Sequence, residues 1–347
     1  MSTIRIGIVG LGANTRLRHV PGLRGCRDVE IMGVCNRTEA SSQKAASELQ
    51  IPKTFERWQD LVSDKDIDAV VIGTWPYLHC EVTLAALDAG KHVLTEARMA
   101  RNSSEARRML TASEEHPELV TQIVPSPFGL RAHKVMSRLL SDGYLGELRE
   151  AVVLGINDSV ADPATPLHWR QDAILSGLNM LALGIMHETL VRWTPNPSRV
   201  LAQANTFTTM RPDPESGESC EVETPDSVRV LTEIPGGAQG LYHLSGALHH
   251  GPAMQIQLYG SEGTLKYQFA PDDILYGAKK GEPQLNEIPI PENEAGGWRV
   301  EEEFIGAIRE EGPIEFTDFS RGLDYMAFTE AVSRSAIEGR PIDLIER

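Results

Sequence analysis

Cysteine is scarce in this chain of 347 residues, and its four thiols, Cys26, Cys35, Cys80 and Cys220, are scattered. No Cys-x-x-Cys pair occurs, so neither a disulfide framework nor a zinc ribbon is indicated, and the thiols read as reduced core or surface groups. Apolar runs are short, and none approaches the ~20 residues of a membrane span. Positive charge is in the minority: 33 Lys and Arg face 49 Asp and Glu, a net charge of −16. A surface that negative repels phosphate backbones, which argues against nucleic acid as a partner. No basic segment or cleavage site precedes the strand-like start Met1-Ser2-Thr3-Ile4-Arg5-Ile6, so the expected location is cytoplasmic, away from membranes. No internal repeat is visible. Dense apolar blocks exclude disorder as the main state, and the length suits two domains of roughly 100–200 residues each.

The first ~125 residues alternate between two periods. Short Val/Ile-rich runs at Ile4–Val9, Val29–Val34, Asp68–Ile72, Lys91–Thr95 and Leu119–Val124 read as strands. Between them, Thr15–Arg24, Glu39–Leu49, Arg57–Val62, Leu78–Ala89 and Ser103–Glu115 read as helices. Strands that are apolar on both faces, joined by helical crossovers, predict an α/β, doubly wound parallel sheet of the Rossmann type. After the helix Arg131–Asp142 the pattern changes. Leu148–Ile156, Arg199–Phe207, Asp226–Ile234, Gly240–Ser245, Met254–Tyr259 and Gly263–Phe269 read as strands of a large, mainly antiparallel open sheet. A helix near Leu178–Trp193 is inserted early, 208–224 reads as a polar loop, and helices near Arg299–Glu310 and Asp318–Glu338 close the chain. The expected domains are 1–125 and an α+β domain at 126–347.

Gly10-Leu11-Gly12-Ala13-Asn14-Thr15 follows the first strand and opens a helix, the placement required of a dinucleotide fingerprint. The first glycine permits the tight turn and the second lets backbone approach a pyrophosphate. Thr15 stands where a third glycine is usual, which predicts looser helix–strand packing there; Arg16 and Arg18 add charge nearby. At the end of the second strand an acid would read a ribose and favour NAD, whereas Asn36-Arg37-Thr38 tilts the reading toward NADP. The alternative for Arg37 is a solvated helix-start residue.

Gly90-Lys91-His92-Val93-Leu94-Thr95-Glu96 resembles a strand end of the glucose–fructose oxidoreductase, inositol dehydrogenase and MocA (Gfo/Idh/MocA) family. The resemblance extends in order over nearly the whole chain: Thr74-Trp75-Pro76-Tyr77-Leu78-His79, Trp169-Arg170-Gln171-Asp172, Leu183-Gly184-Ile185-Met186-His187 and Gly260-Ser261-Glu262-Gly263-Thr264-Leu265. It implies an NAD(P)-dependent oxidoreductase that moves a hydride between nicotinamide and a sugar-like or small hydroxylated or carbonyl substrate. It also implies a cofactor bordered by Thr74, Pro76, His79, Glu96, Trp169 and Arg170, and His187 as acid/base. A homo-oligomer, dimer or tetramer, is expected through the sheet face left uncovered by helices, with the last helix packed back on the first domain.

Several positions depart from the family's pattern, among them Leu190, where an aspartate is frequent, although Glu188 lies beside His187. The usual lysine after Glu96 is Ala97, followed by Arg98, and the usual aspartate before the helix glycine is Ala182. Arg98 can restore a positive charge and orient an oxyanion or carboxylate, but a guanidinium cannot act as a base; its alternative is a strand-end arginine in solvent or in an ion pair. The alternatives for His187, His79 and Arg170 are a core group, a helix-start residue and a structural salt bridge. Two other function classes remain open: a cofactor-retaining redox-neutral enzyme, and a nucleotide- or sugar-binding sensor without turnover. His249-His250 is read as lying on a strand, where neighbours point to opposite faces, so no metal is assigned. Glu301-Glu302-Glu303 reads as a solvated helix start.

Overall fold

A computed structural model describes residues 2–269 and 271–344, and the chain divides into two units. The first comprises 1–125 with 299–326, the second 126–298 with 327–347. No helix among the described residues is long and apolar enough to cross a membrane.

In the first unit, β1 (Ile4–Val9), β2 (Val29–Cys35), β3 (Lys53–Thr54), β4 (Ala69–Ile72), β5 (His92–Thr95) and β6 (Thr121–Ile123) form one sheet in the order β3-β2-β1-β4-β5-β6. Every pairing is parallel. All four residues of β4 are buried, as strands covered on both faces require. The crossovers are α1 (Val20–Gly25), α2 (Glu39–Leu49), α3 (Trp58–Ser63), α4 (Pro76–Asp88) and α5 (Ser103–Glu115). Their starts are chemically marked: Thr38 and Ser41 form a capping box on α2, Pro76 is the first residue of α4, and Asn102 caps α5 through the Glu105 amide. A π-helical turn, Thr15–His19, leads into α1.

The second unit begins with α6 (His133–Ser141) and β7 (Leu148–Ile156), then α7 (Ala173–Ser176) and α8 (Leu183–Leu190). The remaining strands are β8 (Arg199–Asn205), β9 (Met210–Pro212), β10 (Ser219–Glu221), β11 (Ser227–Ile234), β12 (Ala238–Ser245), β13 (Gln255–Gly260), β14 (Gly263–Gln268), β15 (Ile274–Lys279), β16 (Asn286–Glu287) and β17 (Ile342–Asp343). Nine of these strands form a sheet in the order β16-β15-β14-β13-β7-β12-β11-β8-β17, antiparallel except where β12 meets β7. Strict alternation in β11 puts Val228, Val230, Thr232 and Ile234 on the buried face and Arg229, Leu231 and Glu233 outside. The buried face packs with Leu183, Met186 and Leu190 of α8 and with Phe328 and Val332 of the Phe319–Glu338 helix.

Three expectations change. The segment 208–224 contains the β9–β10 hairpin instead of being all loop. The helix expected over Leu178–Trp193 is confined to α8, because Leu181 has φ 49° and the Asn179 amide donates to the Ser176 carbonyl at 2.7 Å. Such local side-chain bonds compete with helix. His249 and His250 lie in a turn, not on a strand; His249 faces Asp158 at 2.9 Å.

Candidate active site

β1 is followed by Gly10, whose φ of 85° turns the chain and whose amide donates to the Cys35 carbonyl at 2.8 Å. A Cβ here would lie 2.7 Å from the Thr74 backbone nitrogen, so the cradle admits only glycine. Gly12 and Ala13 are exposed at its rim. Thr15 is buried, and the looser packing expected of it is corrected: a Cβ on Gly73 would sit 2.1 Å from the Thr15 hydroxyl oxygen, so the missing glycine is supplied from the facing strand end. This bare-backbone turn at the carboxyl end of β1, next to β4, fits a dinucleotide phosphate.

Asn36 braces the turn. Its Oδ1 accepts from the Leu11 amide at 2.7 Å and its Nδ2 donates to the Ser41 carbonyl at 3.1 Å. Thr38 spends its hydroxyl on the α2 cap, Arg37 is exposed, and Arg16 reaches Glu48 at 2.9 Å. Pro76 is buried and Thr74 half-buried. His79 is fully buried, with Nδ1 2.9 Å from the Arg98 carbonyl and Nε2 3.0 Å from that of Thr74, so it straps two strand ends together. Burial holds its pKa below the usual histidine value.

Glu96, at the end of β5, binds the turn directly: Asn14 Nδ2 donates to its Oε1 at 2.5 Å. His19 Nε2 lies 3.0 Å from the same oxygen, and His19 Nδ1 lies 2.5 Å from Glu301 Oε1. Glu301 comes from the Val300–Ile308 helix, and the expectation of a solvated acidic run there is corrected. Glu301 is 2% exposed, Glu303 accepts from the Glu315 and Phe316 amides, and only Glu302 is exposed, paired with Arg299. Burial disfavours the charged imidazole of His19, but its bonds to Glu301 and Glu96 outweigh this and raise it to about 9. Burial likewise works against the Glu96 carboxylate, yet His19 and Asn14 hold its pKa below the usual range. Arg98 is 6% exposed, which removes the solvent-facing alternative, and the Ala97–Arg98 peptide is cis.

In the second unit, α8 carries His187 at 1% exposure. Its Nδ1 is 2.8 Å from the Tyr242 hydroxyl, and its ring stacks on Phe328 with centroids 3.6 Å apart and planes 8° from parallel. Burial alone lowers the imidazole pKa to about 3. Beside it, Glu188 pairs with Arg192 at 2.6 Å and accepts from the Ser126 amide. Trp169 and Arg170 share one 3₁₀ turn, the guanidinium 4.1 Å over the indole. Arg211 is fully buried and donates to the carbonyls of Val160, Asp162 and Thr165, fixing the 158–168 loop to the β9–β10 hairpin.

His19, Glu301, Tyr242, Phe328 and Arg211 were not singled out from sequence as site residues. The one available signal was for Glu301, a carboxylate one residue past the buried Val300 on an amphipathic helix. No group of three or more His, Cys, Asp or Glu among the described residues is placed to hold a metal.

Residues 4–123 match the family described as "Oxidoreductase family, NAD-binding Rossmann fold", and residues 133–266 match "GFO/IDH/MocA C-terminal domain". The chain is 23% identical over 327 residues to levoglucosan dehydrogenase of Pseudarthrobacter phenanthrenivorans, covering 87% of this chain and 82% of the relative. An oxidoreductase domain protein from Kribbella flavida superposes with a TM-score of 0.89 at 24% identity over the whole of both chains. A levoglucosan dehydrogenase in complex with NADH and L-sorbose superposes with a TM-score of 0.87 at 20% identity over 98% of each.

The His19 shift has a sign that can be measured. A histidine raised from 6.5 to about 9 contributes stability that is complete below pH 6.5 and lost as pH rises through 9. The buried thiols of Cys35 and Cys80, pushed by burial from 9.0 to about 11, weaken the fold only above pH 9. The buried histidines held below 6.5, such as His79 and His187, add stability as pH rises past 6.5, so the His19 effect is read above that range. Urea unfolding of the wild type is expected to show a midpoint that declines from about pH 7.5 to 9. His19→Gln should be less stable at the lower end and flat over that window; an equal decline in the variant would refute the assignment.

Proposed function

Since the chain belongs to the Gfo/Idh/MocA oxidoreductases, we propose that it is an NAD(P)-dependent dehydrogenase or reductase of a sugar-like or small hydroxylated or carbonyl compound. The observation that carries this reading is the glycine turn at the crevice of a parallel sheet, tied by Asn14 to Glu96. Gly10, Gly12, Ala13, Asn14 and Thr15 form the phosphate cradle, and Glu96, Thr74, Pro76, Trp169 and Arg170 border the cofactor. The levoglucosan dehydrogenase complex with NADH and L-sorbose supports the substrate class.

The nicotinamide, when bound, supplies or takes the hydride. His187 handles the proton. The Tyr242 hydroxyl and the Phe328 face fix its orientation; burial keeps the ring neutral but makes it a weak base, so the proton step requires bound substrate and cofactor to raise its pKa toward neutrality. Arg98, a permanent cation next to Ala97, orients a substrate oxygen in place of the family's lysine. Ala97 and Ala182 also support a second reading, a binding homologue without turnover. Arg37, exposed at the end of β2, favours NADP.

A homo-oligomer is supported by the outer face of the large sheet. Leu201, Leu231 and Leu241 stand opposite one another on β8, β11 and β12, 39%, 56% and 39% exposed. Polar rows containing Arg199, Glu233 and Gln239 on one side, and Gln203, Arg229 and His243 on the other, flank them. An apolar row with a polar rim suits a self-complementary two-fold contact.

Three measurements test these readings. In a screen of sugars and polyols with NADP and NAD, His187→Ala should lower kcat by about 10²–10⁴-fold while NADPH affinity holds. Cofactor binding with no turnover on any substrate would favour the sensor, and full activity in the variant would remove His187 from the chemistry. Arg37→Ala should weaken NADPH by about 1.5–3 kcal/mol and NADH far less; equal losses would overturn the NADP preference. Leu231→Glu should shift the sedimentation of the assembly to that of a monomer. A wild type that is already monomeric at micromolar concentration would sink the interface.

A further inference from the structure

His19 makes contact with carboxylate oxygen through both ring nitrogens, Glu301 at Nδ1 and Glu96 at Nε2. A carboxylate only accepts, so both nitrogens must carry hydrogen and the ring is an imidazolium. On Glu96 the two bonds from the turn converge on one atom: Asn14, just before the π-helical turn, and His19, at its end, both reach Oε1. The turn is thus clamped at both ends onto a single carboxylate oxygen. Oε2 of Glu96 has no hydrogen bond to any described residue, and the side chain keeps 15% exposure. Glu301 completes the arrangement from outside the 4–123 match, and α1 makes room for it at Gly22, where a Cβ would lie 2.5 Å from Glu301 Oε2.

We propose that His19 and Glu301 are positioning residues for the dinucleotide site: they hold the Glu96 carboxylate and the Gly10–Thr15 turn in one fixed geometry, with Glu96 Oε2 presented as an acceptor for a hydroxyl or amide donor of the cofactor. This rests on the cofactor reading above. The charge on Glu301 is the controlling element. With an amide at 301, the Nδ1 hydrogen still finds an acceptor, but the cation loses one of its two counter-charges in a buried place and reverts to neutral imidazole. Nε2 then turns a lone pair toward Glu96, and the carboxylate and Asn14 are released together.

The test is made on the full chain. Glu301→Gln is expected to raise the dissociation constant for NADPH or NADH about tenfold or more, the loss of one charge-assisted bond, followed by fluorescence titration. In the wild type, ¹⁵N shifts of the His19 ring should report two protonated nitrogens at pH 7.5, and in Glu301→Gln one. Glu301→Asp, which keeps the charge, should recover the imidazolium signature and part of the affinity. Asn14→Ala removes the turn's other bond to Glu96 together with any contact Asn14 makes to the cofactor, and should weaken binding with little change in melting temperature; the ¹⁵N signature of wild-type His19 decides the matter if Glu301→Gln does not fold. A wild type that binds neither cofactor removes the underlying reading and this inference with it. A wild type that binds, with Glu301→Gln or Asn14→Ala binding equally well, overturns the inference alone, as does a neutral His19 in the wild type.

Discussion

Removing an ionised group from water is affordable only when opposite charge and hydrogen bonds replace what water supplied. The first unit is organised around one such group, the His19 ring. Without Glu96 and Glu301 its charge could not be buried, and without the charge two carboxylates would face each other across a dry gap. This requirement brings together three distant stretches: the turn after β1, the end of β5, and a helix more than two hundred positions further along. Chain connectivity gives no reason for the Val300–Ile308 helix to belong to this unit, but electrostatics does. Arg309 reinforces the attachment by donating to the carbonyls of Arg27 and Asp28.

The second unit uses the opposite solution for its own buried imidazole. His187 has a hydroxyl and an aromatic face as neighbours, and burial drives its ring to the neutral form. Two histidines of equal burial are therefore held in opposite protonation states by what touches them. Arg211 shows a third solution, a buried cation whose two terminal nitrogens donate to backbone carbonyl oxygens.

The layered fold was legible in the sequence because burial on both faces and burial on one face leave different periods. The Val/Ile runs of β1 and β4 and the alternation of β11 each reported their own surroundings. The glycine turn was legible for a similar reason, since only glycine meets the demand at position 10. What could not be read were pairings at long range. Glu301 differs from Glu302 only in the phase of the helix, which turns one inward to His19 and the other to solvent. Thr15 was misjudged because the space it needs is made by Gly73, on a different strand. The β9–β10 hairpin was missed because its three-residue strands are polar and draw their order from Arg211, and His249-His250 because the strand before it stops at Ser245.

The nine-stranded sheet ends on both sides in a strand of two residues, β16 on one margin and β17 on the other. β17 lies on β8 through Ile342 and Asp343, with Asp343 also held by Arg199 at 2.6 Å. A foreign strand adding to a sheet needs a long row of open backbone donors and acceptors. Each two-residue strand interrupts such a row, occupying Arg199 and Val200 on β8 and Tyr276 and Gly277 on β15, and sets a carboxylate, Asp343 or Glu287, at the margin of the described sheet. The margins are thereby broken into short, charged stretches, the pattern by which edge strands resist pairing with a foreign chain.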